Sequence, residues 1–274
     1  MRLDGMAITL LGIPHDCNSS FLAGAAKAPE EVRVALVSDS ANMFCESGHD
    51  LADPELFRSV GDVPLAHMEG QVAYDAIHKA VGEHLTGGGQ VIGIGGDHSV
   101  TYPAAMAHTE HLGRLSILHF DAHPDLYDNF EGNPFSHASP FARLMESGRI
   151  DRLVQIGIRT LNDHQREQAA RYGVEQHEMR DLSGIGQIAF SGPVYVSVDL
   201  DALDPAYAPG VSHHEPGGMS VRRIIDCIHQ IGGKVIGGDI VEYNPVRDIN
   251  GMTARVAAKL VKELAGRMID DNRS

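Results

Sequence analysis

The chain has 274 residues, is 43% hydrophobic and carries 30 glycines with little low-complexity sequence, which suits one large α/β unit and excludes a disordered chain. Its 22 Lys and Arg stand against 37 Asp and Glu, a formal net charge of −15, which argues against a nucleic-acid or anionic-membrane surface and suits cationic ligands or metals. Cys17, Cys45 and Cys227 are odd in number and show no paired spacing, so the reading is a reducing interior without a disulfide framework, and a cytoplasmic location.

The opening MRLDGMAITLLGIPHD has one basic residue and an apolar run of only seven, Met6 to Gly12, that contains Thr9, so it reads as a first strand and not as a signal peptide. No stretch approaches the roughly 18 to 20 apolar residues of a membrane span. Short apolar runs then recur: AITLLGI at 7–13, VIGIGGD at 91–97, LSILHFD at 115–121, LVQIGIR at 153–159, VYVSVDL at 194–200 and KVIGGDI at 234–240. Each is predicted as a buried strand. Between them, apolar residues return at three- and four-residue spacing, as in Gly70 to Leu85 and Thr253 to Ile269, which predicts helices. Strand and helix alternate, so the expected fold class is α/β, a parallel sheet covered by helices on both faces. No linker or fixed-period repeat divides the chain, and residues 1–274 read as one domain. The longest irregular segments, Ala41 to Pro64 and Asp125 to Pro140, are of a length that is usually functional.

The second of those segments starts inside HFDAHPDLYD. Residues two apart on a strand face the same side, so Asp121, His123 and Asp125 are expected to converge just past the end of the 115–120 strand. VSVDLDALDP repeats the pattern with Asp199 and Asp201, and GIGGDHS delivers His98 at the end of a third strand. In open α/β sheets ligands gather at the carboxyl ends of the strands. One Asp there is ordinarily a helix cap, and one His an ordinary packed or surface side chain. Four carboxylates and two imidazoles together carry too much negative charge to bury without a cation. A metal pair resolves this, and oxygen-rich donors with imidazole and no thiolate suit Mn²⁺ first. His119 shares the parity of Asp121 but lies deeper, so it reads as a packed residue or a support for a ligand. GGGQVIGIGG, at 87–96, lacks the Gly-Lys-Ser/Thr of a phosphate loop and does not read as nucleotide-binding.

The motifs GGDHS, DAHPD, SHASPFAR, QIGIR, SVDLDALDPAYAPG and DIVEYNP resemble those of the ureohydrolase family of arginases and agmatinases. NSSFLAG, FEGNPFSHAS, APGVSHHEPGG and GMTARVAAKLVKEL resemble its plant-type arginase branch. The resemblance implies a three-layer sandwich with a central, mainly parallel sheet, two Mn²⁺ per subunit and a trimer or hexamer. It implies that His98, Asp121, Asp125 and Asp199 hold one ion and Asp121, His123, Asp199 and Asp201 the other, Asp121 and Asp199 bridging. It places His137, Glu242 and Asp125 among the catalytic residues, His137 as proton shuttle and Glu242 as partner of the substrate guanidinium. Asp97 is expected to orient a ligand, and His213 and His214 to lie in the substrate-facing loop, in a structural role or in contact.

The implied substrate is a small cationic guanidino compound, L-arginine first and agmatine as runner-up; a non-catalytic metal-binding homologue and another metal hydrolase on the same architecture are the readings of other kinds. The loop from Leu126 to Ala142 contains no Lys or Arg, so a substrate carboxylate would fall to Asn129, Asn133, Ser136, Ser139, backbone amides or water. Asp128 and Glu131 would welcome an ammonium instead.

Overall fold

The computed structural model describes residues 7–184 and 188–273, so Met6, at the head of the predicted first strand, and the two ends of the predicted domain lie outside the described residues. Among these residues, eight strands, β1 (Ile8–Ile13), β2 (Phe57–Asp62), β3 (Gln90–Gly95), β4 (Leu115–Phe120), β5 (Ile150–Ile158), β6 (Glu175–Glu178), β7 (Val194–Asp199) and β8 (Val235–Val241), form one sheet in the order β2-β1-β3-β8-β7-β4-β5-β6. Every pairing in it is parallel. Among the described residues, seven α-helices, α1 (Ala28–Leu36), α2 (Gly70–Leu85), α3 (Thr101–Leu112), α4 (Pro140–Glu146), α5 (Asp163–Tyr172), α6 (Val221–Gln230) and α7 (Met252–Arg273), cover it.

Helices α1, α6 and α7 pack on one face, against residues such as Ile92, Phe120 and Val196, and α2 to α5 on the other, against Val91, Ile117 and Tyr195. This is the expected three-layer sandwich. The apolar runs read from the sequence are the strands with both faces covered; β3, β4, β7 and β8 are buried along their whole length. Two strands carry no such run. In β2 only Phe57 is buried, and β6 is the polar stretch EQHE; both lie at sheet edges, where one flank faces solvent and an apolar run has nothing to bury against. β2 falls inside the segment expected to be irregular, and the rest of that segment ties down α7: Lys262 Nζ donates to the Asn42 carbonyl at 2.8 Å, and the Glu46 N–H donates to Glu263 at 3.1 Å.

The topology positions the site. β3, β8, β7 and β4 are four consecutive neighbours at the centre of the sheet, and their carboxyl ends lead directly into His98, Glu242, Asp199 and Asp121. After β3 the chain turns at Gly96, where an added Cβ would sit 1.8 Å from the His15 carbonyl oxygen, so only glycine lets the loop behind β1 close this tightly. Among the described residues, no helix is long and apolar enough to cross a membrane.

Candidate metal centre

Asp97 opens the short 3-10 turn His98–Val100: its Oδ1 accepts the Ser99 N–H at 3.0 Å and its Oδ2 the Asn18 N–H at 2.9 Å. The turn swings the His98 ring over the end of the sheet, fully buried, with Nδ1 3.2 Å from Asp121 Oδ2, 3.0 Å from Asp125 Oδ2 and 3.1 Å from Asp199 Oδ2. None of the three oxygens forms a directed hydrogen bond with that nitrogen, so Nδ1 is a buried, unpaired donor atom ringed by carboxylates. Its other nitrogen, Nε2, lies 3.0 Å from Ser197 Oγ, whose hydroxyl donates to Asp239 Oδ1 at 2.6 Å; Tyr195 donates to Asp239 Oδ2 at 2.7 Å. With the Ser197 proton committed to Asp239, Ser197 Oγ accepts from Nε2–H, and Nδ1 keeps a free lone pair.

A second group lies beside the first. His123 Nδ1 is 3.0 Å from Asp201 Oδ2 and 3.4 Å from Asp121 Oδ1, so Asp121 turns one oxygen to His98 and the other to His123. The expectation of strand alternation is corrected here: β4 ends at Phe120, and convergence comes from a bend at Ala122 and His123, with Asp125 in the left-handed region at φ 49°. Asp199 is the last residue of β7, and its Oδ1 accepts the Asp201 N–H at 2.8 Å, which fixes the spacing of that pair.

The electrostatics show what the cluster lacks. Burial and then the neighbouring Asp201 and Asp121 push Asp199 well above the ordinary carboxylate range. Burial likewise raises Asp201 to about 6. Burial also opposes charge on Asp121, but His119, His123 and His98 hold it well below its usual value. Burial opposes a charge on His98 too, yet Asp121, Asp125 and Asp199 pull its pKa far up. The surroundings therefore favour positive charge at Nδ1. Asp121, Asp125, Asp199 and Asp201 with two neutral imidazoles match the charge of two divalent cations, and the unpaired Nδ1 among hard oxygen donors fits a metal.

Supporting contacts surround these donors, of which the sequence anticipates His119 but not its partners. Gln155 Nε2 lies 3.0 Å from His119 Nδ1, which leaves His119 Nε2–H to donate to Asp121 Oδ2 at 2.8 Å, so His119 is a support for Asp121 and not mere packing. Ser197, Asp239 and Gln155 lie on strands whose apolar patterning masks them. Their only sequence signal is a polar side chain inside a buried run.

Opposite the donors, Glu242 leaves β8 with φ 62° and its Oε1 accepts the His98 N–H at 2.9 Å and His137 Nδ1–H at 2.8 Å. The backbone N–H of Ser20 donates to His137 Nε2 at 3.1 Å, with Ser20 Oγ at 2.8 Å. Burial disfavours charge on His137, but Glu242 outweighs it and raises the ring to about 9. Glu242 in turn, though burial pushes it up, is held below its usual value by His137.

The cavity in front of the donors holds about 180 Å³ and is lined by Ser20, His123, Asp125, Tyr127, Phe130, His137, Thr160, Asp199, Asp201, His213 and Glu242 among others. Asn129, Asn133, Ser136 and Ser139 are not on its wall. Asn133 bonds Asn18 and the Phe135 N–H, Ser136 Oγ accepts the Ala138 N–H, Ser139 is fully buried and Asn129 faces outward. In a loop without repeating geometry, neighbouring residues need not share a direction. The His213 and His214 pair is split: His214 Nε2 binds the Pro209 carbonyl at 2.7 Å, whereas His213 reaches the cavity, its pKa lowered by burial.

The arginase-family profile matches residues 6–266. The chain belongs to the arginase family. It is 47% identical to "Arginase, mitochondrial" of Medicago truncatula over 97% of this chain and 84% of that one. It is 48% identical to "Arginase 2, chloroplastic/mitochondrial" of Arabidopsis thaliana over 94% of this chain and 80% of the relative. The solved arginase from Medicago truncatula superposes with a TM-score of 0.90 at 46% identity, covering 96% of this chain and 88% of that one. The protein is a hydrolase acting on guanidino carbon–nitrogen bonds. The cytoplasmic expectation is overturned, since these similar relatives are named for mitochondria and chloroplasts. Free thiols and an acidic surface are compatible with an organelle interior as much as with the cytosol, so composition could not separate the two.

Proposed function

We propose that this member of the family hydrolyses L-arginine to L-ornithine and urea at a centre loaded with two Mn²⁺ ions. The observation that carries the reading is the unpaired His98 Nδ1 within 3.2 Å of three carboxylates, with Glu242 and His137 across the cavity. His98, Asp121, Asp125 and Asp199 would hold one ion, and Asp121, His123, Asp199 and Asp201 the other. Bound divalent ions supply Lewis acidity and bring the pKa of water down toward neutrality, which a poorly electrophilic guanidinium requires.

The chain's own residues do the rest. Only Oε1 of Glu242 is engaged by the hydrogen bonds above, so Oε2 is available to pair with the guanidinium and aim its carbon at the donors. His137 holds a proton on Nδ1 against Glu242, and its place on the cavity wall suits delivery of a proton to the departing amine. Asp125 lines the same cavity from its left-handed turn. Residues 1–274 act as one ureohydrolase domain, a reading supported by a single sheet and a family match over 6–266. Exposed Val246, Ile249 and Met252 after β8 support a subunit contact within a homotrimer or homohexamer.

The test is urea release by Mn²⁺-loaded protein on L-arginine, agmatine and guanidinobutyrate side by side. The highest kcat/KM is expected on L-arginine. A higher value on agmatine would make the protein an agmatinase, and no urea from any of the three would leave a metal-binding homologue.

A further inference from the structure

No Lys or Arg lines the cavity among the described residues, so the part of the substrate remote from the guanidinium must be read by neutral groups. Most polar side chains there are already committed. Thr160 Oγ1 donates to the Ala122 carbonyl at 3.0 Å, Ser20 bonds His137, Tyr127 Oη accepts from Asn162 Nδ2 at 2.5 Å and Gln165 Oε1 accepts the Leu126 N–H at 3.3 Å, the last two keeping one donor group each. His213 differs. It forms ring contacts only: its centroid is 5.4 Å from His137, 5.8 Å from His123 and 5.6 Å from Phe21. Three rings thus fix the position of an imidazole on the cavity wall, and among these lining residues its nitrogens are left without a hydrogen bond. Its neighbour Ser212 anchors the loop by donating to the Leu22 carbonyl at 2.7 Å, and His214 does so through Pro209, so the loop is held while His213 is left open.

We infer that His213 is a specificity-determining residue whose ring N–H binds the α-carboxylate of the substrate, with Phe21 and His137 holding the ring in place. The inference rests on the arginine reading above and assigns to one side chain what Asn129, Asn133, Ser136 and Ser139, all off the cavity wall, do not supply. A neutral imidazole can donate to a carboxylate at modest desolvation cost, and leaving that donor unpaired penalises a substrate that lacks the group. Agmatine is such a substrate.

The experiment compares wild type, His213→Phe and His213→Ala with Mn²⁺ content measured in each. Phe keeps a ring between Phe21 and His137 but has no N–H. Both variants should raise KM for L-arginine about tenfold or more, leave KM for agmatine within about twofold, and bind L-ornithine, but not putrescine, about tenfold more weakly by calorimetry. An unchanged arginine-to-agmatine ratio of kcat/KM in both variants would overturn the inference, as would full recovery of arginine KM and ornithine binding in His213→Phe, which would make the residue a packing element. Failure of the arginase reading shows separately, as a wild-type preference for agmatine.

Discussion

Ser197→Ala removes a hydroxyl that touches neither cavity nor substrate, yet it should weaken metal binding. In the folded protein Ser197 Oγ lies 3.0 Å from His98 Nε2 and donates to Asp239 Oδ1 at 2.6 Å, all three residues being fully buried. Without the hydroxyl, Nε2–H has no acceptor, and the imidazole loses its preference for the tautomer that leaves Nδ1 free. Moving the proton to Nδ1 would place it against Asp121, Asp125 and Asp199, where the cation is needed. Partners of this kind typically change metal affinity about 10- to 100-fold, which corresponds to roughly 1.4–2.7 kcal/mol. The fold pays separately, since two buried polar groups lose a partner, at about 1–3 kcal/mol in the metal-free protein. Mn²⁺ titration by calorimetry, alongside thermal melts of the metal-free protein, separates the two effects, and Ser197→Thr should restore most of the affinity. Wild-type Mn²⁺ affinity in Ser197→Ala would refute the tautomer argument.

Asp121 presents one oxygen to each histidine, so Asp121→Asn should lose both ions, while Asp201→Asn should retain more metal; elemental analysis after gel filtration reads the difference, and equal occupancy would contradict a bridging Asp121. His137→Asn should keep normal Mn²⁺ content and lose about 10²-fold or more in kcat, since the ring lies outside the donor set. The same ring is raised from 6.5 to about 9, so its pairing with Glu242 contributes stability that is complete below pH 6.5 and is lost as pH rises through about 9. The melting temperature of the metal-free protein should fall across that window, and His137→Asn should flatten the profile; an equally steep profile in the variant would remove His137 as its source.

What was legible in the sequence follows from what each residue announces by itself. Apolar runs reveal strands buried on two faces, which is why β1, β3, β4, β5, β7 and β8 stand out while edge strands β2 and β6, with FRSVGD and EQHE, do not. His98, Asp121, His123, Asp125, Asp199 and Asp201 are recognisable because clustered ligand-type side chains at strand ends are rare, and the structure does bring them together. Ser197, Asp239 and Gln155 are not, because a lone polar residue in a buried strand carries no mark of the neighbour it will meet.

Direction is the harder property, and the backbone explains why. Asp125 and Glu242 both have φ in the left-handed region, at 49° and 62°, which costs a non-glycine residue about 1–3 kcal/mol and is seldom adopted without compensation. The compensation is visible: the Asp125 carbonyl accepts the Phe141 N–H at 3.2 Å, and the Glu242 N–H donates to the Gly96 carbonyl at 2.9 Å. These bonds come from α4 and from the loop after β3, far off in sequence. Strand parity therefore could not have set the aim of either carboxylate. The same holds for Asn129, Asn133, Ser136 and Ser139, whose side chains turn to Asn18, to the loop's own backbone, outward or into the interior, while Ser20 and His213 arrive at the cavity from distant loops. A site of this kind is legible in the type of its donors, but which neighbouring side chains face the cavity is settled only when the sheet is assembled.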